Sequence, residues 1–361
     1  METIDLNSLI KINKIIERDS LSSSYKLALL KGTIFVVNKF DHFIIFEDKK
    51  AKLPFYFLIE QWFFDYLPFV YDNIKQQTNE KKAQILNKEI ESLYLQLFDT
   101  FKSETFLNWK EIYSIIYYRY HNDKLNETQK DILLKLFKAI RKTIKDNPMK
   151  YIGDYHYEIF FDISIAKIKS LNYEEFGTFC IKEDIYNVFK YLGYNLLGLN
   201  TILKRWVDFT IRINPKLNRS QIFNYMIYEV QDILRDTSDI RKLFNNQAIE
   251  CVWSGKKIKH FDVDHIIPFS IYFNNDLWNL MPSDKKINNK KRDKIPTPNL
   301  IKKRKDMIIY YWAKYQKSFS YFLKQREISL GKYNNENEYI LSLQKKCDFL
   351  INKLGFDYFE I

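Results

Sequence analysis

Between Pro54 and Tyr71 the chain crowds Phe55, Tyr56, Phe57, Trp62, Phe63, Phe64 and Tyr66 into one segment. Pro54 is suited to start a helix there, because its fixed φ matches the first turn. A surface helix carries one apolar stripe, and these aromatics are too dense for one stripe. The segment is therefore expected to be buried on more than one side, as core packing rather than as a ligand pocket. Such a helix needs neighbours all round. The chain supplies them: 46% of its 361 residues are hydrophobic, and only eight glycines and eight prolines interrupt it. Few breakers and many bulky side chains favour long helices packed on each other. The length suits two or three domains.

Apolar spacing places further helices around that segment. Ser22-Ser-Ser24 is positioned to cap a helix through Tyr25–Leu30. Helices are expected over Asn79–Phe101, Asn108–Tyr120 and Asp131–Lys145, the last capped from Asn126-Glu-Thr-Gln129 and ended by Asn147-Pro148. Tyr151–Ile165 reads equally as strand or helix. Ser170–Asn214 reads as two or three helices, including Ile185–Tyr191 and Leu199–Ile213. Arg219–Leu234 and Asp239–Phe244 follow, and Asn245-Asn-Gln247 is the best boundary. Near the end, Ile308–Gln325 and Glu336–Leu354 read as two amphipathic helices joined by the polar link Gly331–Asn335, packing back onto the body.

The net charge is +12. Most of it sits in one segment, since the 21 residues Lys285–Lys305 hold ten Lys or Arg and one Asp. Most charge runs are solvated helix faces. This one adjoins a candidate cleavage stretch, which favours a polyanionic partner, nucleic acid first and a membrane surface second. The three cysteines, Cys180, Cys251 and Cys347, are too scattered for a disulfide framework or a zinc quartet. Met1-Glu-Thr-Ile-Asp-Leu6 has no basic region followed by an apolar core. The most apolar runs, Leu27–Val37 and Pro54–Tyr71, are broken by Lys31, Glu60 and Asp65 and do not suit a membrane span. A cytoplasmic location with no membrane partner is the expectation.

The chemistry-bearing stretch is Asp262-Val-Asp-His-Ile-Ile-Pro-Phe-Ser270, continued by Trp278-Asn-Leu280 and Asn288-Asn-Lys-Lys-Arg-Asp293. Asp264 offers a hard anionic oxygen and Asn288 a neutral amide oxygen. Two such ligands suit Mg²⁺, which keeps several waters and accepts phosphate oxygens. His265 offers an imidazole able to deprotonate water near neutral pH. On an extended strand it would point away from Asp264. Asn279 has two readings, fixing the loop or orienting the imidazole. Lys285, Lys286, Lys290, Lys291 and Arg292 would neutralise flanking phosphates. Asp284 would cap the helix that brings Asn288 back towards Asp264. Asn289 rivals Asn288 as a ligand, and Asp262 is either a second acceptor or a surface charge. His260 reads as an exposed polar residue. Trp253 and Trp278 read as core, as does the Tyr310-Tyr-Trp312 cluster, although a nucleotide could stack on that cluster.

Asp264-His265, Asn279 and Asn288, in this order, resemble the motif of HNH endonucleases, which have a ββα-metal fold. The intervals from His265, 14 residues to Asn279 and 23 to Asn288, are similar to those of the HNH domain of CRISPR RNA-guided DNA nucleases. Stand-alone bacterial HNH endonucleases with an Asp-Val-Asp-His-Ile-Ile-Pro core are similar too. The resemblance covers roughly Ala248–Ile301. It implies that His265 activates water, that Asp264 and Asn288 hold one Mg²⁺ (with Mn²⁺ able to substitute), and that Asn279 completes the catalytic set in a structural role. Many such proteins carry Cys-x-x-Cys zinc pairs. Here Cys251 is followed by Val252, Trp253 and Ser254, so no structural zinc is expected.

The expected architecture is mainly α. A helical region at 1–245 serves target recognition, regulation or oligomerisation. An HNH finger occupies 246–305, and helices at 306–361 follow it. The expected function is metal-dependent DNA hydrolysis, by analogy in restriction or anti-phage defence, with a homo-oligomer or a defence-system protein as candidate partners. The alternatives are a non-catalytic nucleic-acid-binding module and a toxin-like nuclease on RNA. The short chain lacks an arginine-rich bridging helix and a second nuclease motif, which argues against a complete RNA-guided nuclease.

Overall fold

A computed structural model describes residues 4–78, 85–101, 108–198, 201–226, 237–245, 247, 249–272 and 275–361. The chain is mainly helical, with small sheets. It divides into two compact units, Met1–Tyr228 and Glu229–Ile361. The expected helices over Asn79–Phe101 and Arg219–Leu234 fall partly outside the described residues.

The first unit contains α1 (Leu6–Arg18), α2 (Tyr25–Lys39), β1 (Ile45–Glu47), β2 (Lys50–Pro54), α3 (Phe55–Tyr71), α4 (Lys88–Asp99), α5 (Trp109–His121), α6 (Glu127–Ile144), β3 (Thr178–Lys182), α7 (Glu183–Leu197), α8 (Ile202–Ile213) and α9 (Arg219–Met226). Helix α3 is its centre, as the aromatic crowding requires. Phe55, Phe57, Trp62, Phe63 and Tyr66 are fully buried, and α2, α4, α5, α6 and α9 all pack on this helix. Burying tyrosines leaves hydroxyls to satisfy. Tyr66 shares a hydrogen bond with Ser24 at 2.8 Å, Tyr56 with Tyr120 at 2.5 Å, and Tyr94 donates to the Phe63 carbonyl at 2.7 Å. Ser24 therefore stands at the start of α2 without capping it by its side chain. The hydroxyl is drawn to Tyr66 instead.

The strands β1, β2 and β3 form an antiparallel sheet in that order. The expectation of helices over Ser170–Asn214 misses β3. Asp48 and Lys49 join β1 to β2 in two residues, both with positive φ (49° and 59°). That is the geometry for which Asn-Gly or Asp-Gly is the usual signal. Tyr151–Ile165 is largely irregular, apart from Phe161, which bridges to Cys180.

The second unit contains α10 (Ser238–Leu243), β4 (Ile249–Glu250), β5 (Lys257–Ile258), β6 (Asp262–His265), α11 (Phe269–Tyr272), β7 (Leu280–Ser283), α12 (Lys285–Lys291), β8 (Ile295–Pro296), α13 (Pro298–Ser318), α14 (Phe322–Leu330), α15 (Glu336–Asn352) and β9 (Tyr358–Phe359). One core joins them, with Trp253, Trp278, Tyr311, Trp312 and Tyr315 fully buried in it. Ile240 and Phe244, which precede Asn245, share that core, and so do the helices after Arg304. Helix α13 begins ten residues before the expected Ile308, capped by Thr297 Oγ1 on the Leu300 N–H at 3.1 Å. It stops where Phe319 becomes extended, so Ile308–Gln325 is not one helix.

The aromatics of α13 tie the strands below it. Trp312 Nε1 donates to the Trp278 carbonyl at 2.9 Å, Tyr315 Oη to the Leu280 carbonyl at 2.9 Å, and Tyr311 Oη to the Glu250 carbonyl. Tyr310 faces out. At the far end, β9 runs parallel to β8, with Ile295 N–H on the Asp357 carbonyl at 2.9 Å and Thr297 N–H on the Phe359 carbonyl at 3.1 Å. The Phe359 ring meets Trp253 edge-on at 6.2 Å.

Candidate active site

Strands β6 and β7 pair antiparallel, setting Asp264 opposite Met281 and His265 opposite Leu280. Between them the chain makes a long excursion, and Asn279 closes it. Its Oδ1 accepts from Ile267 N–H at 2.8 Å, its Nδ2 donates to the Ile267 carbonyl at 2.9 Å, and its own carbonyl accepts from Ile266 N–H at 2.7 Å. Asn279 is fully buried. Both ends of its amide bond the Ile267 main chain, which favours the loop-fixing reading over the orienting one.

The residue found against the imidazole is Asn275, whose Oδ1 lies 3.0 Å from His265 Nε2. Sequence reasoning missed it. In a stretch with Asn274 beside it and many other asparagines, nothing in residue type or spacing marks Asn275. The ring also leans on Phe269, centroids 5.5 Å apart.

The side chains of Asp264 and His265 have separate partners, as alternation on a strand predicts. The Asp264 carboxylate accepts from Trp253 Nε1 at 2.6 Å and from Lys291 Nζ at 3.1 Å. The same ammonium donates to the His265 carbonyl at 2.6 Å. Lys291 is fully buried. It is therefore not one of the surface cations that the sequence suggested for phosphate contact, but an internal counter-ion. Burial pushes the Asp264 carboxyl above its ordinary pKa, while the Lys291 charge and the Trp253 and Lys291 hydrogen bonds pull against that shift.

Helix α12 follows β7 directly. Asp284 caps it as expected, its Oδ1 accepting from Lys286 N–H at 2.8 Å and Ile287 N–H at 3.3 Å. Arg292 ends it at φ 51°. The helix packs on β6. Lys291 points at Asp264, so Asn288, three residues earlier, lies on that same helix face. Asn288 is half-buried, and its side chain has no hydrogen-bond partner among the described residues. Asn289, Lys285, Lys286, Lys290 and Arg292 are exposed. His260 is exposed too, and Asp262 is half-buried. Cys251 is buried with its Sγ 3.8 Å from Ser283 Oγ. No cluster of three or more His, Cys, Asp or Glu with metal-binding geometry occurs among the described residues. No helix among them is long and apolar enough to cross a membrane.

A family model described as HNH endonuclease matches residues 251–297, the segment that carries β5, β6, β7 and α12. No curated protein and no solved structure matches the chain. A second model, described as a domain of unknown function (DUF8808), matches residues 5–226, more than half of the chain. The chain belongs to the DUF8808 family, and the segment that follows that domain is similar to HNH endonucleases.

Proposed function

We propose that the second unit is a metal-dependent endonuclease that hydrolyses DNA phosphodiesters, with β6, β7 and α12 as its ββα-metal element. The observation that carries this reading is the clamp of Lys291 on Asp264 and on the His265 carbonyl. It ties α12, and with it the face of Asn288, to β6 at the Asp264 carboxylate and the His265 carbonyl. The residues suit Mg²⁺ or Mn²⁺. An ionised carboxylate offers about four acceptor positions. Trp253, Lys291 and the His265 main chain use three of those on Asp264. With the unbonded amide of Asn288 this gives a sparse oxygen set, of the kind Mg²⁺ shares with water and phosphate. When bound, the ion supplies charge stabilisation for the phosphorane and the leaving 3′ oxygen.

His265 accepts a proton from water as the water oxygen bonds to phosphorus and the P–O3′ bond breaks; the leaving 3′ oxygen takes a proton from solvent, giving 5′ phosphate and 3′ hydroxyl ends. Asn279 holds the loop around the base. Lys285, Lys286, Lys290 and Arg292 neutralise neighbouring phosphates, while Lys291 holds Asp264. Only 4% of Asp264 and 5% of His265 is exposed. Such a closed site fits an enzyme that opens on binding its substrate or on a trigger. We assign trigger response, target choice or assembly to the first unit, consistent with restriction or anti-phage defence. The test is supercoiled plasmid with Mg²⁺, beside the His265→Ala variant and a parallel RNA digest. Nicked or linear DNA from the unmodified protein alone supports the reading. Digestion of RNA only would make it a ribonuclease, and binding without cleavage on several substrates would make it a binding module.

A further inference from the structure

The hydrogen bond between His265 and Asn275 constrains more than ring orientation. An amide Oδ1 only accepts, so His265 Nε2 must donate to it. The neutral ring then carries its proton on Nε2, and Nδ1 is the basic nitrogen. The contact with Asn275 therefore favours Nδ1 as the nitrogen that takes a proton from water.

The chain next to Asn275 is held from outside the segment that matches HNH endonucleases. Leu277 N–H donates to Gln325 Oε1 at 3.0 Å. Asp276 Oδ2 accepts from Ser329 Oγ at 2.8 Å and from Trp278 Nε1 at 3.2 Å. Gln325 and Ser329 lie one turn apart on α14 and are both buried. Between them Arg326 anchors α14 to α15, pairing with Glu336 at 2.6 Å and lying 3.9 Å over the Tyr339 ring. A buried side chain bonded to a loop main chain removes that loop's freedom to slide. Here Gln325 does so at Leu277, and Ser329 holds the Asp276 side chain just before it.

We propose that Asn275 is the positioning residue that holds His265 in the Nε2–H tautomer, and that α14 serves as part of the site by holding Asn275 through Gln325 and Ser329. The catalytic consequence rests on the nuclease reading above, whereas the tautomer does not. Full-length protein labelled with ¹⁵N-histidine has only five rings to resolve. At one fixed pH, the ring ¹⁵N shifts of His265 should report Nε2–H in the unmodified protein and in Asn275→Asp, which keeps an acceptor. In Asn275→Ala the two tautomers should mix. Cleavage should then fall about tenfold to a hundredfold in kcat with KM for DNA little changed, as for other residues that orient a reacting group. Asn275→Asp should restore most of the rate. Gln325→Ala/Ser329→Ala should move both readouts in the direction of Asn275→Ala, and the Asn275 pair decides the first half of the proposal should that double variant fail to fold. An Nδ1–H ring in the unmodified protein, or an Asn275→Ala variant unchanged in tautomer and kcat, would overturn the proposal. If the unmodified protein and His265→Ala are equally inactive, the nuclease reading falls and the tautomer still tests the hydrogen bond.

Discussion

Trp253 donates its indole N–H to Asp264 Oδ2 at 2.6 Å inside the core of the second unit. A carboxylate that is nearly sealed from water depends on such donors, because a buried charge without partners is costly. Trp253→Phe keeps an aromatic ring in place and removes the donor. The expected loss is about 1.5–3 kcal/mol, the usual worth of a hydrogen bond to a charged group. Urea denaturation followed by a signal from the second unit measures it. A variant as stable as the parent would show that Asp264 does not need this bond.

Lys291 gives a prediction of the opposite kind from its basic neighbours. Removing one partner of a buried ion pair typically costs about 3–5 kcal/mol, because the other charge is left stranded. Lys291→Met should therefore destabilise the protein strongly, and pairing it with Asp264→Asn should recover a good part of the loss. A thermodynamic cycle of the two single variants and the double variant measures the coupling. Additive effects would mean that the two groups are not paired.

Replacing Lys285, Lys286, Lys290 and Arg292 by alanine should weaken DNA binding while leaving the fold intact, since all four are exposed. Each lost phosphate contact lowers the slope of log affinity against log salt by roughly 0.9. Binding measured at several salt concentrations reads that slope. An unchanged slope would take these residues out of the interface.

Asn279→Ala leaves the Ile267 N–H and carbonyl without their side-chain partner in a dry setting. Each buried polar group left unmatched costs about 1–3 kcal/mol. The expected result is a lower melting temperature with no change in the chemistry of His265 itself. Full stability alongside lost cleavage would restore the reading of Asn279 as an orienting group.

All three cysteines are buried. Burial pushes the Cys347 thiol up to about 12 and raises Cys180 as well. The thiolate is the reactive form. At mildly alkaline pH the folded protein should therefore react very slowly with a chromogenic disulfide reagent, and the denatured chain should release three equivalents. Prompt reaction of the native protein would place at least one thiol at the surface.

Asp264, Asn279 and Asn288 stood out in the sequence as candidates because a motif built on one hairpin and one helix keeps its spacing in the chain, and the structure places them on β6, just before β7 and on α12. Lys291 was visible but misassigned. Within a run of cations, sequence does not tell a lysine facing solvent from one folded inward onto a carboxylate. Asn275 was invisible, since its role comes from a loop whose path is set by α14, far along the chain. The crowding around Trp62 correctly announced a buried helix. Strand β3 stayed hidden for a related reason: its partner β2 lies over a hundred residues earlier, and the turn between β1 and β2 uses Asp48-Lys49 in place of a glycine pair. Local pattern carried the helices and the motif, and long-range contact carried the remainder.

The pairing of β8 with β9 has a consequence for the order in which the protein is made. Trp253 rests on Phe359, about a hundred residues later in the chain. At a synthesis rate of about 5–20 residues per second, that interval lasts from roughly 5 to 20 s. For roughly the last 4 to 14 s of it the whole stretch from Asp264 to Asn288 has been translated, yet the clip that backs Trp253 has not. A nascent chain thus passes through a period in which it holds every residue of the motif without a finished centre, so the proposed activity would emerge only after Phe359 has been added.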